Sequence, residues 1–366
     1  MNLEEHETKQ VPQMTKPKDT LFKDLSIFKR ILPILPFVAS FFILYYLYPA
    51  SFESTWKGRT FYLFFLWLVF LETILNWEEL ATKKWKLKSV KTVLMSITCA
   101  LPIAYVIVAN FFGLNKIIID LSVKYNVGGP YDITYFANLM PLSIEYLVFT
   151  ILFALMLLTT YETSYLGKYA ISTFFLGLIG FIYIADNLYP NGKWPPLQFP
   201  VFPTTILASS TLNFLGFQTS IRIIGTSSRF GWMPYLSAWD PNNPFIIVGF
   251  GIGWPCAGIE SLLIYTVTIL LFLTKSNIKL KHRIIYFVIG AAATYFINIL
   301  RIVTIFILAI NYGQNSSEVW RFHDYYGQLY SMIWIIMYPL IIIGISSLWI
   351  RIKSSKAILK PTPSPM

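Results

Sequence analysis

Three residues in the C-terminal half of the chain could carry nucleophilic chemistry: Cys256, Arg301 and His323. A thiolate is a strong nucleophile, an imidazole can take and return its proton, and a fixed guanidinium can stabilise a developing oxyanion. Together these groups provide what acyl transfer to a thiol requires. Each also has a structural interpretation: a lone cysteine often fills a core, a lone histidine often faces solvent, and an arginine often pairs with a carboxylate such as Glu260.

The cysteine lies in the run GIGWPCAGIES, which predicts that Cys256 opens a helix. Pro255 is a natural first helical residue, and Gly258 allows close approach of the backbone. A thiol at a helix N-terminus feels the positive end of the helix dipole, which favours the thiolate. The other cysteine, Cys99, lies in the apolar run LMSITCALPI and is predicted to be a core residue.

The arginine lies inside a long apolar run, RIIYFVIGAAATYFINILRIVTIFILAI. A charge within such a segment costs at least about 2.5 kcal/mol on insertion scales, so Arg301 is expected to face a cavity or an ionic partner. Asn298 and Thr294 share its helix face. His323 lies in the run RFHDYYG and is followed by Asp324, so the histidine has a carboxylate close by.

The elements that position these residues are predicted to be membrane helices. The chain has 366 residues, of which 55% are hydrophobic and 13% are charged; a soluble domain has about 25% charged residues. Apolar runs such as residues 93–112 are long enough to cross the hydrocarbon core of a bilayer. The predicted helices cover residues 31–49, 60–77, 92–112, 141–160, 166–185, 256–274, 284–311 and 328–350. The fold class is therefore an all-α integral membrane bundle of about eight transmembrane helices with an outer cap region.

The basic residues predict how this bundle is oriented. The net charge of +11 would suggest nucleic acid in a soluble protein, but in a membrane protein Lys and Arg mark the cytoplasmic side. Most of them fall in the N-terminal head, the loops after the second and sixth helices, and the tail. Both termini are therefore predicted to be cytoplasmic, and Cys256 and His323 to lie at the outer face of the cell membrane.

The chain divides on this basis into five regions. A cytoplasmic polar head (1–30) precedes the first five helices (31–185), and an outer cap (186–255) precedes the catalytic helices six to eight (256–350) and a cytoplasmic tail (351–366). Residues 196–217 are apolar but contain three prolines, and a ninth crossing would reverse the later loops. They are predicted to be re-entrant or packed on the outer surface, and the cap could contain a short strand pair.

Three short motifs resemble those of the exosortase/archaeosortase family. WPCAGIES resembles the family's cysteine motif, NILRI its arginine motif and HDYYG its third motif, in the same order and on the expected helices. The resemblance covers residues 140–350. Ala257 stands where many bacterial members have serine, which favours the archaeosortase branch.

The resemblance implies a membrane-embedded cysteine protease or transpeptidase that processes surface proteins with a C-terminal recognition motif, a transmembrane helix and a basic cytoplasmic end. It implies that Cys256 attacks the scissile carbonyl, His323 shuttles the proton, and Arg301 stabilises the oxyanion or orients the substrate. Transfer of the acyl group to a lipid or other acceptor would anchor the cut protein. The predicted supporting residues are Asn298, Gly258, Ser261, Glu260 and Asp324; the predicted substrate-gripping residues are Trp232, Trp239 and Trp254.

Other functions remain open on the sequence alone. A transporter could use Arg301 with Glu260 or Glu145 to line a solute path, and it would not need Cys256. A non-catalytic assembly factor would need only the shape of the site. A glycosyltransferase-type enzyme lacks the acidic cluster expected for a metal-bound sugar diphosphate. No metal or cofactor is predicted, because two cysteines and three dispersed histidines do not form a ligand set.

Overall fold

The computed structural model describes residues 27, 30–54, 57–82, 90–128, 133–161, 163–190, 195–224, 233–276 and 278–358. Most of the predicted polar head, the basic stretch 83–89, Trp232 and the end of the tail (359–366) lie outside this part. The chain folds into two compact units. The first comprises Met1–Asn115 and Glu145–Gly177, and the second comprises Lys116–Ile144 and Leu178–Met366.

Helices dominate both units. The helices are α1 Leu35–Leu47, α2 Thr60–Leu75, α3 Trp77–Thr82, α4 Val90–Phe111, α5 Leu114–Lys124, α6 Ile133–Thr160, α7 Ser164–Lys168, α8 Ala170–Leu188, α9 Pro195–Gln198, α10 Val201–Phe214, α11 Ile259–Lys275, α12 Leu280–Tyr312, α13 Ser317–Arg321 and α14 Gly327–Ile358. The described residues also include two 3₁₀ turns, Pro49–Phe52 and Trp254–Ala257, and the π-helical turn Phe322–Tyr326.

Five helical runs among the described residues are long and apolar enough to cross a membrane. They are Thr92–Phe111, Ile133–Thr160, Ala170–Leu188, Leu280–Tyr312 and Ser317–Ile345. Three shorter apolar helices, Leu35–Leu47, Thr60–Leu75 and Ile259–Thr274, coincide with the remaining predicted segments. The total of eight crossings stays a prediction.

The first unit has an aromatic core. The ring of Phe37 meets those of Phe65, Phe149 and Phe153 edge to face, at centroid distances of 5.5, 5.8 and 5.4 Å. Edge-to-face contacts of this kind contribute beyond the apolar area that they bury. The core therefore holds α1, α2 and α6 together.

A buried ion pair adds to the same unit. Arg59 donates from Nε to Oε1 of Glu145 at 2.7 Å and from Nη2 to Oε2 at 2.8 Å. Its guanidinium also lies 4.6 Å from the ring centroid of Tyr48. The two side chains are 9% and 6% exposed, and such bidentate geometry offsets part of the cost of burying two charges. Glu145, which a transporter could have used with Arg301, thus has a partner of its own.

The second unit contains a three-stranded antiparallel sheet where the sequence suggests a strand pair. Strands β1 Gln218–Ile224, β2 Met233–Asp240 and β3 Asn243–Gly251 lie in the order β1-β2-β3. The β2–β3 turn is held by the Asp240 side chain, which accepts a hydrogen bond from the backbone N–H of Asn242 at 2.8 Å. Residues 196–217 contain most of α9 and all of α10, and the prolines fall at the starts of these short helices, where they are tolerated. That this segment is re-entrant or packed on the outer surface stays a prediction.

Helices α11, α12 and α14 pack against one another in this unit. Tyr265 on α11 donates to the backbone oxygen of Phe287 at 2.8 Å, and Tyr338 on α14 donates to that of Tyr286 at 2.6 Å. These two hydroxyls thus tie α11 and α14 to α12. The predicted cysteine, arginine and histidine lie before or within these three helices.

Candidate active site

Cys256 lies in the 3₁₀ turn Trp254–Ala257, between β3 and α11, and not in the first turn of the helix as predicted. Gly258 separates the turn from the helix because its φ is +83°, a left-handed conformation that residues with a Cβ rarely adopt. A Cβ at Gly258 would also lie 2.8 Å from Cγ of Asn298. The 3₁₀ turn therefore ends before Gly258, and α11 begins only at Ile259.

Asn298 on α12 holds this turn. Its Nδ2 donates to the backbone oxygen of Cys256 at 2.8 Å, and the side chain is completely buried. Its Oδ1 has no hydrogen-bond partner within the described residues. One turn earlier, Thr294 accepts from Nε1 of Trp334 at 3.1 Å. The polar face predicted for α12 thus contacts both the cysteine turn and α14.

His323 lies in the π-helical turn that leads into α14. Its Nδ1 is 2.7 Å from Oδ1 of Asp324, and its imidazole lines the same cavity as Cys256 and interacts with the thiol. Because Nδ1 pairs with the aspartate, Nε2 is the nitrogen left for the thiol. His323 is 37% exposed and Asp324 68% exposed, so the pair is partly solvated.

Arg301 lies beside the same turn. Its Nη2 donates to the backbone oxygen of His323 at 2.9 Å, while its Nε is buried without a partner among the described residues. Gly327 leaves room for the Arg301 side chain, since a Cβ at this position would lie 2.8 Å from Nε of Arg301. The guanidinium is therefore held against the backbone that carries the histidine.

Glu260 is the carboxylate that the structural interpretation pairs with Arg301. Its Oε1 is buried without a hydrogen-bond partner among the described residues, and the charge of Arg301 acts on it. No ion pair joins the two side chains within the described part of the chain. Arg301 is instead bonded to the turn that carries His323.

A cavity of about 270 Å³ brings the three predicted residues together. Apart from Cys256, Arg301 and His323 its walls are apolar, and they come from β3, the residue that follows it, α12 and α13. The remaining lining residues are Phe250, Gly251, Ile252, Ile302, Ile305, Phe306, Val319 and Trp320. A small set of polar groups at one end of an apolar cavity is typical of a site that binds and orients a substrate.

The model of the transmembrane exosortase family (Exosortase_EpsH) matches residues 127–341. The chain belongs to the transmembrane exosortase family. The match includes all three motif residues, and no curated protein and no solved structure matches the chain. With the five long apolar helices, membership confirms a mostly helical, multi-pass membrane protein. At family level it supports a membrane peptidase or transpeptidase that acts in protein sorting.

The tryptophan that lines the cavity of this exosortase-family chain is not one of those predicted. Trp320 lies edge-on to His323, with ring centroids 5.8 Å apart. Trp254 is instead buried and donates to Oδ1 of Asp186 at 2.7 Å, and Trp239 donates to Gln218 at 3.0 Å. Trp320 stands three residues before the histidine, a helical spacing that could have indicated it.

None of the five predicted supporting residues lines the cavity itself. Ser261 is in the first turn of α11, and Glu260 precedes it; neither is among the residues that line the cavity. Asn298 donates to the backbone oxygen of Cys256, and Gly258 leaves the room that the Asn298 side chain occupies. Of the supporting set, Asp324 is the one that contacts a lining side chain directly, through His323.

Proposed function

We propose that this chain is a membrane-embedded cysteine protease or transpeptidase that cuts the C-terminal sorting signal of surface proteins and transfers them to a lipid or other anchor. The observation that carries the proposal is the single cavity that Cys256, Arg301 and His323 line together, in which the imidazole interacts with the thiol. A nucleophile, a base in contact with it and a group that orients the base form the pattern of an activated thiol. Asp324 is the orienting group.

The reaction follows from these positions. His323 takes the thiol proton, the sulfur of Cys256 bonds to the scissile carbonyl carbon, and the carbonyl oxygen becomes an oxyanion that Arg301 stabilises. Collapse of this intermediate breaks the C–N bond and leaves a thioester on the cysteine. The imidazolium returns its proton to the leaving amine, which departs with the C-terminal helix.

The second half of the reaction decides between anchoring and release. The hydroxyl or amine of an acceptor loses its proton to His323 and attacks the thioester carbon. The C–S bond then breaks, and the Cys256 thiolate that leaves takes the proton back from the imidazolium. A lipid acceptor would anchor the surface protein, whereas water would release it. The partly exposed histidine is reachable by either acceptor.

The location of the site completes the proposal. Both termini are cytoplasmic, the membrane is the plasma membrane, and the cavity opens at its outer face; the distribution of basic residues supports this orientation. The substrate's basic end then stays inside while its membrane helix presents the cut site at the depth of Cys256. Ala257 beside the nucleophile supports the archaeosortase branch of the family.

The test compares Cys256→Ala, Arg301→Ala and His323→Ala with wild type in cells that co-express a surface protein with a C-terminal helix and a basic end. The size of the surface protein and its lipid content are measured by gel mobility and mass spectrometry. Wild type should shorten the substrate, and each variant should leave it full length. Cys99→Ala is the matched control and should process normally. If inserted Cys256→Ala cuts as well as wild type, thiol catalysis is wrong and a transporter with Arg301 in its path becomes the better hypothesis.

A further inference from the structure

One edge of the sheet ends beside the candidate nucleophile. β3 is an edge strand, and its residues Phe250 and Gly251 line the cavity that contains Cys256. An edge strand carries a row of backbone N–H and C=O groups that no neighbouring strand takes. The edge of β3 therefore forms a track of backbone groups that leads to the thiol.

Gly249 shows which backbone groups face this edge. Gln314 accepts from its N–H at 3.3 Å and donates to its C=O at 2.7 Å, so both groups of Gly249 point away from β2. Outward and inward pairs alternate along an antiparallel strand. Ile247 and Gly251 therefore also face the edge, while the residues between them face β2. The next inward residue, Ile252, donates to a carbonyl of β2 at 2.9 Å and agrees with this assignment.

The occupant of the edge at Gly249 is an amide. The side chain of Gln314 offers the donor and acceptor of a peptide group, and it uses both. The strand is also open towards its start, where Phe245 is 94% and Ile247 62% exposed. Exposed apolar edges are usually protected, because they pair with other chains. The geometry thus fits an extended peptide that pairs through its main chain.

We propose that the extended segment of the substrate just before the scissile bond adds to β3 as a fourth strand and displaces the Gln314 amide. This inference rests on the proposed function. β3 runs towards Cys256, and the cut segment continues into a membrane helix, so the added strand is parallel to β3 and ends at the thiol. Strand addition gives affinity through the main chain and leaves side-chain selection to pockets. The apolar cavity beside Gly251 is the pocket for the side chain at the cut site.

The first test is a proline scan of the substrate. Purified full-length protein in lipid vesicles is given a surface protein with a C-terminal helix, with proline placed singly at each of the six positions before the cut. Cleavage should fall about fivefold at alternate positions, which corresponds to one lost hydrogen bond of about 1 kcal/mol. An alanine scan of the same positions should not reproduce the alternation.

The outcomes separate the inference from the function on which it rests. If the unsubstituted substrate is not cut, the proposed function fails and the inference fails with it. If it is cut but proline acts without a two-residue period, the proposed function stands and strand addition is wrong.

The second test changes the edge of the protein itself. Ile247→Pro removes an outward N–H and keeps the pairing with β2, because proline is tolerated on the free side of an edge strand. The matched control is Ile221→Pro on β1, which the same alternation places on the opposite edge. Ile247→Pro should lower kcat/KM about fivefold, and Ile221→Pro should change it less than twofold. An equal loss from both variants, or from Ile247→Ala, would contradict pairing through the backbone of β3.

Gln314 provides a third measurement. If its amide yields to the substrate, Gln314→Ala removes an internal competitor and should lower KM severalfold. A higher KM with an unchanged melting temperature would show that the amide assists binding rather than competing with it, and would overturn displacement.

Discussion

Gly258→Ala tests how the cysteine turn is positioned. An alanine at φ +83° costs about 1–2 kcal/mol in a left-handed conformation. The new Cβ would also lie 2.8 Å from Cγ and 2.9 Å from Nδ2 of Asn298, and crowding of this kind typically costs about 1–3 kcal/mol. We therefore expect a loss of about 2–5 kcal/mol in stability. Because the amide that must shift holds the backbone oxygen of Cys256, processing should fall about 100-fold if the thiol moves by about 1 Å.

The assay separates the two contributions. Thermal melting in detergent and substrate processing are measured for Gly258→Ala, for Asn298→Ala and for the double variant. In the Asn298→Ala background Cγ and Nδ2 are gone and only the Cβ of residue 298 stays close, at 3.0 Å. Gly258→Ala should then cost less than in the wild-type background, chiefly the backbone strain of about 1–2 kcal/mol. Gly344→Ala is the matched control, since nothing lies within 4 Å of its Cβ position on α14 and its φ is not positive. If Gly258→Ala melts and processes like Gly344→Ala, this glycine does not position Cys256.

Three further changes test other contacts. Asp324→Asn should lower processing about tenfold or less, measured as kcat with KM little changed, because the carboxylate that orients His323 is 68% exposed and partly replaceable by water; a loss as large as that of His323→Ala would show that the aspartate does more than orient. Arg59→Ala should destabilise the protein by about 3–5 kcal/mol in thermal melting, because it leaves Glu145 buried and unpaired; an unchanged melting temperature would contradict a buried pair. Trp320→Ala should raise KM for substrate more than it lowers kcat, since the ring lines the cavity, and Trp239→Ala is its control.

The sequence predicts the membrane class and the helices that surround the site, because long apolar runs with few charges have few structural alternatives. It also predicts that Cys256, Arg301 and His323 meet, through the order of three motifs and the side of the membrane assigned to each. The structure places all three on one cavity. Hydropathy and charge patterns indicate which residues lie near the same end of a helix bundle.

The details of contact do not follow from local pattern. Glu145 and Arg59 are 86 residues apart in the chain, and nothing in either neighbourhood indicates the other. Pro255 predicts that Cys256 opens a helix, but Gly258, in a left-handed conformation, separates Cys256 from α11. The side chain of Asn298, on another helix, fills the space where a Cβ at Gly258 would lie. The third strand is not predicted because β3 is rich in glycine near its end, and its exposed apolar residues resemble membrane sequence.

The contacts give the three motifs a common physical basis. The glycine of the cysteine motif, Gly258, leaves room for Asn298 of the arginine motif. The glycine that ends HDYYG, Gly327, leaves room for Arg301, whose Nη2 bonds to the backbone of His323 in that same motif. Each glycine is thus required by a polar side chain from the middle motif, which contacts the other two. The arginine helix therefore bonds to the backbone of both Cys256 and His323, and substitutions on its polar face should impair processing even where they touch neither the thiol nor the imidazole.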